Sequence, residues 1–475
     1  MIRPVPAALR SASVLILGLG ETGLSVARYA RYCGAARIRA ADTRSEPPGA
    51  AQLRDELPGA DVCTGPFTPA LLGGIDLVVI SPGVPAGQPL IAQARERGLP
   101  VVGDIELFAL ALPRDDHAKV IAVTGTNGKT TVTALAGAML RTGGLDAEVA
   151  GNIGPAALDA LLRRLRGGGL PQAWVLELSS YQLEHTESLR PDAATMLNLS
   201  EDHLDRYAGI AEYAAAKARI FDGGGVQVLN RDDAASMGMR RPGRDIVTFG
   251  LNRPPSPLDY GVLRERDAWI LVRGSDELCP AASLRLAGTH NIANALAAWA
   301  LADAVRRADA ASAAALAAFA GLPHRMEAVT RIDGVTYYDD SKGTNVGSTV
   351  AALRGLGEPL AASDARVVLI AGGDGKGQDF APLAEPVRRF ARAVILIGRD
   401  ADKIASALGG AGVPCVRAAD MAEAVQAARA RARSGDAVLL SPACASFDMF
   451  RNYAHRAEVF VAAVRGACSG EIDHA

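Results

Sequence analysis

The chain has 475 residues, 49% of them apolar, with 50 basic against 52 acidic side chains and a net charge of −2. That length gives room for two to four domains with separate cores, and the near-neutral charge offers no footprint for nucleic acid and no polybasic membrane anchor. Six scattered cysteines without a C-x-x-C pattern imply neither a disulfide framework nor a zinc knuckle. Near the N-terminus an apolar stretch is broken by Gly18, Gly20, Glu21 and Thr22, too early for a signal peptide or a membrane span, so a cytoplasmic protein without an anchor is expected.

Short β-like runs alternate with longer Ala/Leu/Arg stretches throughout, which predicts an α/β protein with parallel sheets covered by helices on both faces. SVLILGLGETGLSVARYA (13–30) reads as strand, glycine turn and helix. RIRAAD (37–42), DLVVISPG (76–83) and PVVGDIELF (100–108) read as further strands or strand ends. A polar, Pro-led run at 113–118 reads as a linker, and KVIAV then leads into TGTNGKTT (124–131). A second break falls near FAGLPHRME (319–327), and the strand-and-turn pattern resumes beyond it. Three domains are expected: residues 1 to about 107, about 108–321 and about 322–475.

Gly18-Leu19-Gly20-Glu21-Thr22-Gly23 matches G-x-G-x-x-G between strand and helix, and Asp42 ends the next strand. This signals a nucleotide without choosing between NAD and another one; the plainer alternative is a tight turn whose glycines serve packing. The run from Thr124 to Thr131 is the stronger phosphate signal. Its glycines expose backbone N–H groups at a helix N-terminus, Lys129 can reach β/γ-phosphates and Thr130 can ligate Mg²⁺. Its spacing is shorter than the usual G-x-x-x-x-G-K-[ST]. Glu177 closes an apolar strand, where a metal ligand facing such a loop would come from, although a lone carboxylate there is usually just a strand edge.

LNLSEDHLDRY (197–207) gathers Glu201, Asp202, His203 and Asp205. The plain reading is an acidic first helical turn capped by Ser200; a neutral His203 is a possible metal ligand. Lys217 lies on an ordinary-looking amphipathic helix, where most lysines are solvated. His290, Asn291 and Asn294 open another helix, as caps first and ligand contacts second. Arg325 stands beside the second domain break, where it could clamp phosphate. Lys342 and Lys376 follow strands in turns that also carry acidic residues.

Taken in order, these motifs resemble the Mur ligases over essentially the whole chain. The resemblance rests on TGTNGKTT, GNIG (151–154), LELSSYQLE, EDHLDRY, H-N-x-x-N (290–294), LPHR (322–325), DSK-x-TNVGST (340–349), GGDGK (372–376) and SPACASFD (441–448). It explains the shortened loop, which is the form that family uses. It implies a Rossmann-like first domain holding a UDP-sugar rather than NAD, a central P-loop ATPase-like domain and a Rossmann-like C-terminal domain.

The implied activity is ATP-dependent amide ligation in cytoplasmic peptidoglycan precursor synthesis. D-glutamate is added to UDP-N-acetylmuramoyl-L-alanine through an acyl phosphate. The family's roles carry over by motif. Gly125, Thr126, Asn127, Gly128, Lys129, Thr130 and Thr131 would hold the ATP phosphates, with Asn294, Arg325 and Asp340 on the nucleotide. Two Mg²⁺ ions are implied, one on Thr130 and Glu177, the other on His203 and a carbamylated Lys217. Thr22, Thr43, Arg44, Ser81 and Gly83 would line the UDP pocket, while Asn152, Ser179 and His203 would touch the muramoyl part.

Lys342, Thr344, Lys376, Ser446, Phe447 and Tyr453 would hold glutamate. Lys342 favours the D enantiomer, because a related branch that adds L-glutamate lacks this lysine. A monomer is expected. Glu21, Gly343 and Tyr453 depart from the family's commoner residues. Another Mur-type or folylpolyglutamate-like ligase, an NAD-dependent oxidoreductase and a non-enzymatic P-loop module are the competing readings.

Overall fold

The computed structural model describes residues 9–113, 118–203, 206–265, 268–286, 288–307, 310–361 and 363–469. The first sheet contains β1 (Ser13–Leu17), β2 (Arg37–Asp42), β3 (Asp61–Thr64), β4 (Leu77–Ile80) and β5 (Val101–Gly103). They run parallel in the order β3-β2-β1-β4-β5. Val14 to Leu17 are fully buried, as a strand covered on both faces requires. The strand order reverses beside β1, which opens a crevice at the carboxyl ends of β1 and β4.

The second sheet holds β6 (Lys119–Thr124), β7 (Ala147–Gly151), β8 (Ala173–Glu177), β9 (Ala193–Met196), β10 (Val226–Asn230) and β11 (Ile246–Phe249). All are parallel, in the order β11-β10-β9-β6-β8-β7. The helix Lys129–Thr142 leaves β6 through the glycine loop. Both neighbours of β6 come later in the chain, so this sheet too has its switch point at the loop.

A small antiparallel sheet follows: β12 (Tyr260–Glu265), β13 (Ala268–Arg273) and β14 (Asp276–Pro280). The alternating β/α pattern does not announce it. Its local signals are a two-residue turn at Gly274-Ser275, with Gly274 at φ +56°, and alternation that buries Val262 and Leu271. The last sheet has β15 (Glu327–Ile332), β16 (Val335–Asp339), β17 (Val367–Gly372), β18 (Ala391–Ile397), β19 (Cys415–Arg417) and β20 (Ala437–Leu440). Its order is β15-β16-β20-β17-β18-β19, with an antiparallel edge at β15 and parallel pairing elsewhere.

Three local expectations are corrected. Residues 100–108 are not one strand: β5 stops at Gly103 and a helix runs over Asp104–Ala111. Asp104 and Glu106 in the first turn favour that helix. Residues 200–203 do not form a capped helical turn. The helix there begins at Ile210, and His203 has a left-handed φ of +57° in a loop; Asp205 lies outside the described residues. The helix Thr289–Val305 is capped by Gly288 with no side-chain bond, and Asn294 instead donates to Asn291 at 3.1 Å. Among the described residues no helix is long and apolar enough to cross a membrane.

Candidate active site

The glycine loop after β6 folds back on itself. Gly125 and Gly128 have φ of +148° and +84°. A Cβ on Gly128 would meet Asn294 Oδ1 at 2.6 Å, so the close approach of the two segments requires glycine there. Lys129 Nζ donates to the carbonyls of Gly125 and Thr126 at 2.9 and 2.8 Å. Burial lowers its pKa, opposed by the charge of Glu177. Arg325 reaches across from the third domain and donates to Thr130 Oγ1 at 2.7 Å.

Lys217 is not the solvated lysine its helix suggests. It is 1% exposed, donates to the Gly125 carbonyl at 2.8 Å and sits over the Tyr213 ring, 4.5 Å from its centroid. Burial, then the charge of Lys129, holds its pKa well below the usual lysine value. The two lysines therefore converge on one carbonyl oxygen, and repulsion plus burial favours a neutral amine at Lys217. The sequence hid this because Ala-rich turns around Lys217 carry little polar contrast.

Glu177, at the end of β8, is also buried. Its Oε1 accepts from Asn152 at 2.7 Å, while Oε2 is enclosed without a partner. Such an orphaned carboxylate oxygen fits a cation. Burial pushes the His203 imidazole down to about 4 despite Asp202 nearby, so the ring is neutral and able to ligate. The described His324, Glu327 and Asp339 could also surround an ion. However, His324 and Asp339 already bond each other at 2.7 Å, and Asp339 Oδ1 accepts from Ser341.

Two cavities flank this centre. One, of about 370 Å³, is lined by Asn127, Gly128, Thr131, Asn294, Arg325 and Asp340, among others. It brings Asn127, Gly128 and Thr131 of the loop together with all three residues expected on the nucleotide, whereas Gly125, Thr126, Lys129 and Thr130 do not line it. Burial raises the Asp340 carboxyl to about 7, while Ser441 Oγ donates to it at 2.7 Å. The other, of about 800 Å³, lies in the crevice of the first sheet and reaches the other two domains. Thr22, Thr43, Arg44, Ser81, Gly83 and Asn152 line it, as do Lys342 and Tyr453 from the third domain. Lys342 Nζ lies 3.8 Å from the Tyr453 ring centroid.

Some expected residues lie elsewhere. Ser179 caps the short helix Ser180–Leu183 in a capping box with Gln182, and it is Gln182 that lines the larger cavity. Lys376 pairs with Asp202 at 2.8 Å, and Asn345 donates to the same carboxylate at 3.2 Å and to Asn127 Oδ1 at 3.1 Å. These contacts draw the third domain onto the P-loop. Thr344, Ser446 and Phe447 line neither cavity; Ser446 is buried and Phe447 is 75% exposed.

Sequence reading passed over Gln182, Asp202 as an anchor, and Arg456. The S-x-x-Q spacing from Ser179 was a usable signal for Gln182. Arg456 gave none. It is fully buried and donates to the carbonyls of Cys444 and Ser341, tying together the two loops expected to hold glutamate.

Asp42 bears against a dinucleotide at the first glycine motif. Its carboxylate accepts from Leu19 N at 2.7 Å and from the Arg44 guanidinium at 2.7 and 2.9 Å. Those bonds occupy the acid that would bind an NAD ribose.

A P-loop at one switch point, a second ligand crevice at another and a third domain lining both define a three-domain α/β protein of the nucleotide-binding class. Family models agree. Residues 12–103 match the Mur ligase MurD-like N-terminal domain, 123–302 the Mur ligase middle domain and 324–444 the Mur ligase glutamate ligase domain. A protein of Nitrosospira multiformis named UDP-N-acetylmuramoylalanine--D-glutamate ligase is 58% identical, covering 96% of each chain. One of the same name from Aromatoleum aromaticum is 55% identical, covering 96% of this chain and 98% of its own. The solved UDP-N-acetylmuramate-alanine ligase MurC of Thermotoga maritima shares the fold, with a TM-score of 0.62 at 21% identity over 96% of this chain and all of its own. The chain belongs to the Mur ligase family.

Proposed function

We propose that the chain adds D-glutamate to UDP-N-acetylmuramoyl-L-alanine with hydrolysis of ATP to ADP and phosphate. The observation that carries this reading is the convergence of Lys129, Lys217 and the orphaned Glu177 at one sheet edge between the two cavities. The near-full-length likeness to relatives of that name supports the choice of substrates.

The nucleotide-sugar lies in the larger cavity and ATP in the smaller one. The alanyl carboxylate attacks the γ-phosphorus, a new P–O bond forms and the bond to ADP breaks. The amine of D-glutamate then attacks the acyl carbon, the C–N bond forms, phosphate leaves and the amine's proton is released. Most of the rate comes from positioning and charge neutralisation. Lys129 holds the transferring phosphoryl group, and Arg325 and Asn294 orient the nucleotide. Lys342, which lines the larger cavity, supplies positive charge for a carboxylate of glutamate, while Lys376 is paired with Asp202 and would have to leave it to meet the other.

One Mg²⁺ would be held by Glu177 and the Thr130 hydroxyl, which has a lone pair to spare beyond its bond from Arg325, and a second by His203 and a carbamylated Lys217. When bound, these ions would screen the converging anions. The carbamate would form when the neutral Lys217 amine makes an N–C bond to CO₂ and releases a proton, which leaves an oxygen ligand of negative charge. The burial that lowers the amine's pKa favours that chemistry.

The test is ADP release with UDP-N-acetylmuramoyl-L-alanine and D-glutamate, L-glutamate, L-lysine or glycine in turn. Turnover with D-glutamate alone is expected. Preference for any other amino acid would overturn the substrate assignment.

A further inference from the structure

One side chain joins the nucleotide-sugar crevice of the first domain to the catalytic loop of the second. The Arg206 side chain is 10% exposed. Its Nε and Nη2 donate to the two oxygens of Glu184 at 3.2 and 2.6 Å. Its Nη1 donates to the carbonyls of Pro82 and Val84 at 3.2 and 3.1 Å. These two carbonyls flank Gly83 in the loop after β4, part of the larger cavity's wall.

The other face of the guanidinium serves the second domain. Its central carbon lies 4.2 Å from the Tyr181 ring centroid, and that ring packs 4.8 Å from the His203 ring. The Arg206 amide donates to the His203 carbonyl at 2.9 Å. Glu184 is locked in turn by the Tyr207 hydroxyl. The planar fork thus has its charge matched by Glu184, its edge spent on the first domain and its face spent on the stack behind His203.

We propose that Arg206 is a positioning residue for the ligation, holding the loop at Pro82–Val84 in register with the Tyr181–His203 stack. The inference rests on the ligase reading. A substrate anchored by its uridine end in one domain and reacting at its alanyl end in another must span both. A small error in their relation moves the carboxylate off line. The two carbonyls belong to residues that line the larger cavity, so the bonds that satisfy the buried guanidinium also set where that wall stands.

The test compares wild type, Arg206→Ala, Arg206→Lys and Glu184→Gln by ADP release, varying each substrate in turn, alongside thermal unfolding. Arg206→Ala is expected to raise KM for UDP-N-acetylmuramoyl-L-alanine and lower kcat, each about tenfold, leaving KM for ATP within about twofold. Arg206→Lys keeps the charge but loses the fork and the stacking plane, and should recover less than about a third of the lost kcat/KM. Glu184→Gln should show the same split at smaller size. If Arg206→Ala does not fold, Arg206→Lys and Glu184→Gln carry the comparison. A lowered unfolding midpoint with wild-type kinetic constants, full rescue by lysine, or equal losses for all substrates would overturn the proposal. Absence of turnover in the wild type would instead strike the ligase reading.

Discussion

The two glycine loops, Gly18–Gly23 after β1 and Gly125–Gly128 after β6, share one grammar of strand, tight turn and helix, yet their surroundings differ. At the first, a Cβ on Gly23 would come within 2.0 Å of the Gly18 carbonyl, so that glycine serves helix–strand packing. The nearby charges cancel locally, as Arg44 holds the Asp42 carboxyl down at about 2. At the second, Lys129, Lys217 and Arg325 gather with Glu177 around one loop, and burial lowers the pKa of both lysines. On the ligase reading, the first loop holds a ligand still and the second acts on one. A glycine pattern marks where a phosphate can lie, and the buried ionisable groups around it mark where chemistry happens.

The sharpest way to break this contrast is Lys129→Ala. Loss of the cation beside the transferring phosphoryl should cost at least about 3 kcal/mol of transition-state stabilisation, a hundredfold or more in kcat. Affinity for UDP-N-acetylmuramoyl-L-alanine, read by titration calorimetry, should stay near wild type. A parallel loss of that affinity would show that the loops are not separable.

Lys217→Ala should lower kcat by about tenfold to a hundredfold, and added acetate or propionate should restore part of it by returning an oxygen ligand. Wild-type ADP release before any acid is added would refute the carbamate.

On the packing side, Gly23→Ala should destabilise the fold by about 2 kcal/mol, seen as a lowered denaturant midpoint. An unchanged midpoint would deny the glycine its packing role.

The smallest expected effect is a pH dependence in the larger cavity. Asp104 is buried, its Oδ1 is unpartnered, and burial raises its carboxyl from 3.8 to about 6. Its contribution to stability is complete below about pH 4 and is lost as pH rises through about 6. Asp104→Asn should flatten the fall of the thermal midpoint between about pH 4 and pH 6. An unchanged slope would place the titration elsewhere.

The second loop was readable from sequence because its lysine and threonines are contiguous with the glycines. The third domain's approach was partly readable: Arg325 was singled out beside a domain break, and it does reach Thr130. What could not be read came from tertiary contact. The burial of Lys217 depends on the loop it packs under, and the Asp202–Lys376 pair joins residues 174 apart in the chain. The run at 200–203 is acidic and Ser-led and so imitates a helix start, whereas the chain there turns through a left-handed residue. The antiparallel sheet over residues 260–280 was missed because short strands between long α/β units carry weak periodicity.

The division of labour between the loops is tested most directly by titrating the protein with UDP-N-acetylmuramoyl-L-alanine, ATP and NADH, singly and in pairs, by calorimetry. The account predicts one site for the nucleotide-sugar and one for ATP, each filled without displacing the other, and no heat from NADH. Competition between ATP and the nucleotide-sugar, or NADH binding that the nucleotide-sugar displaces, would contradict it.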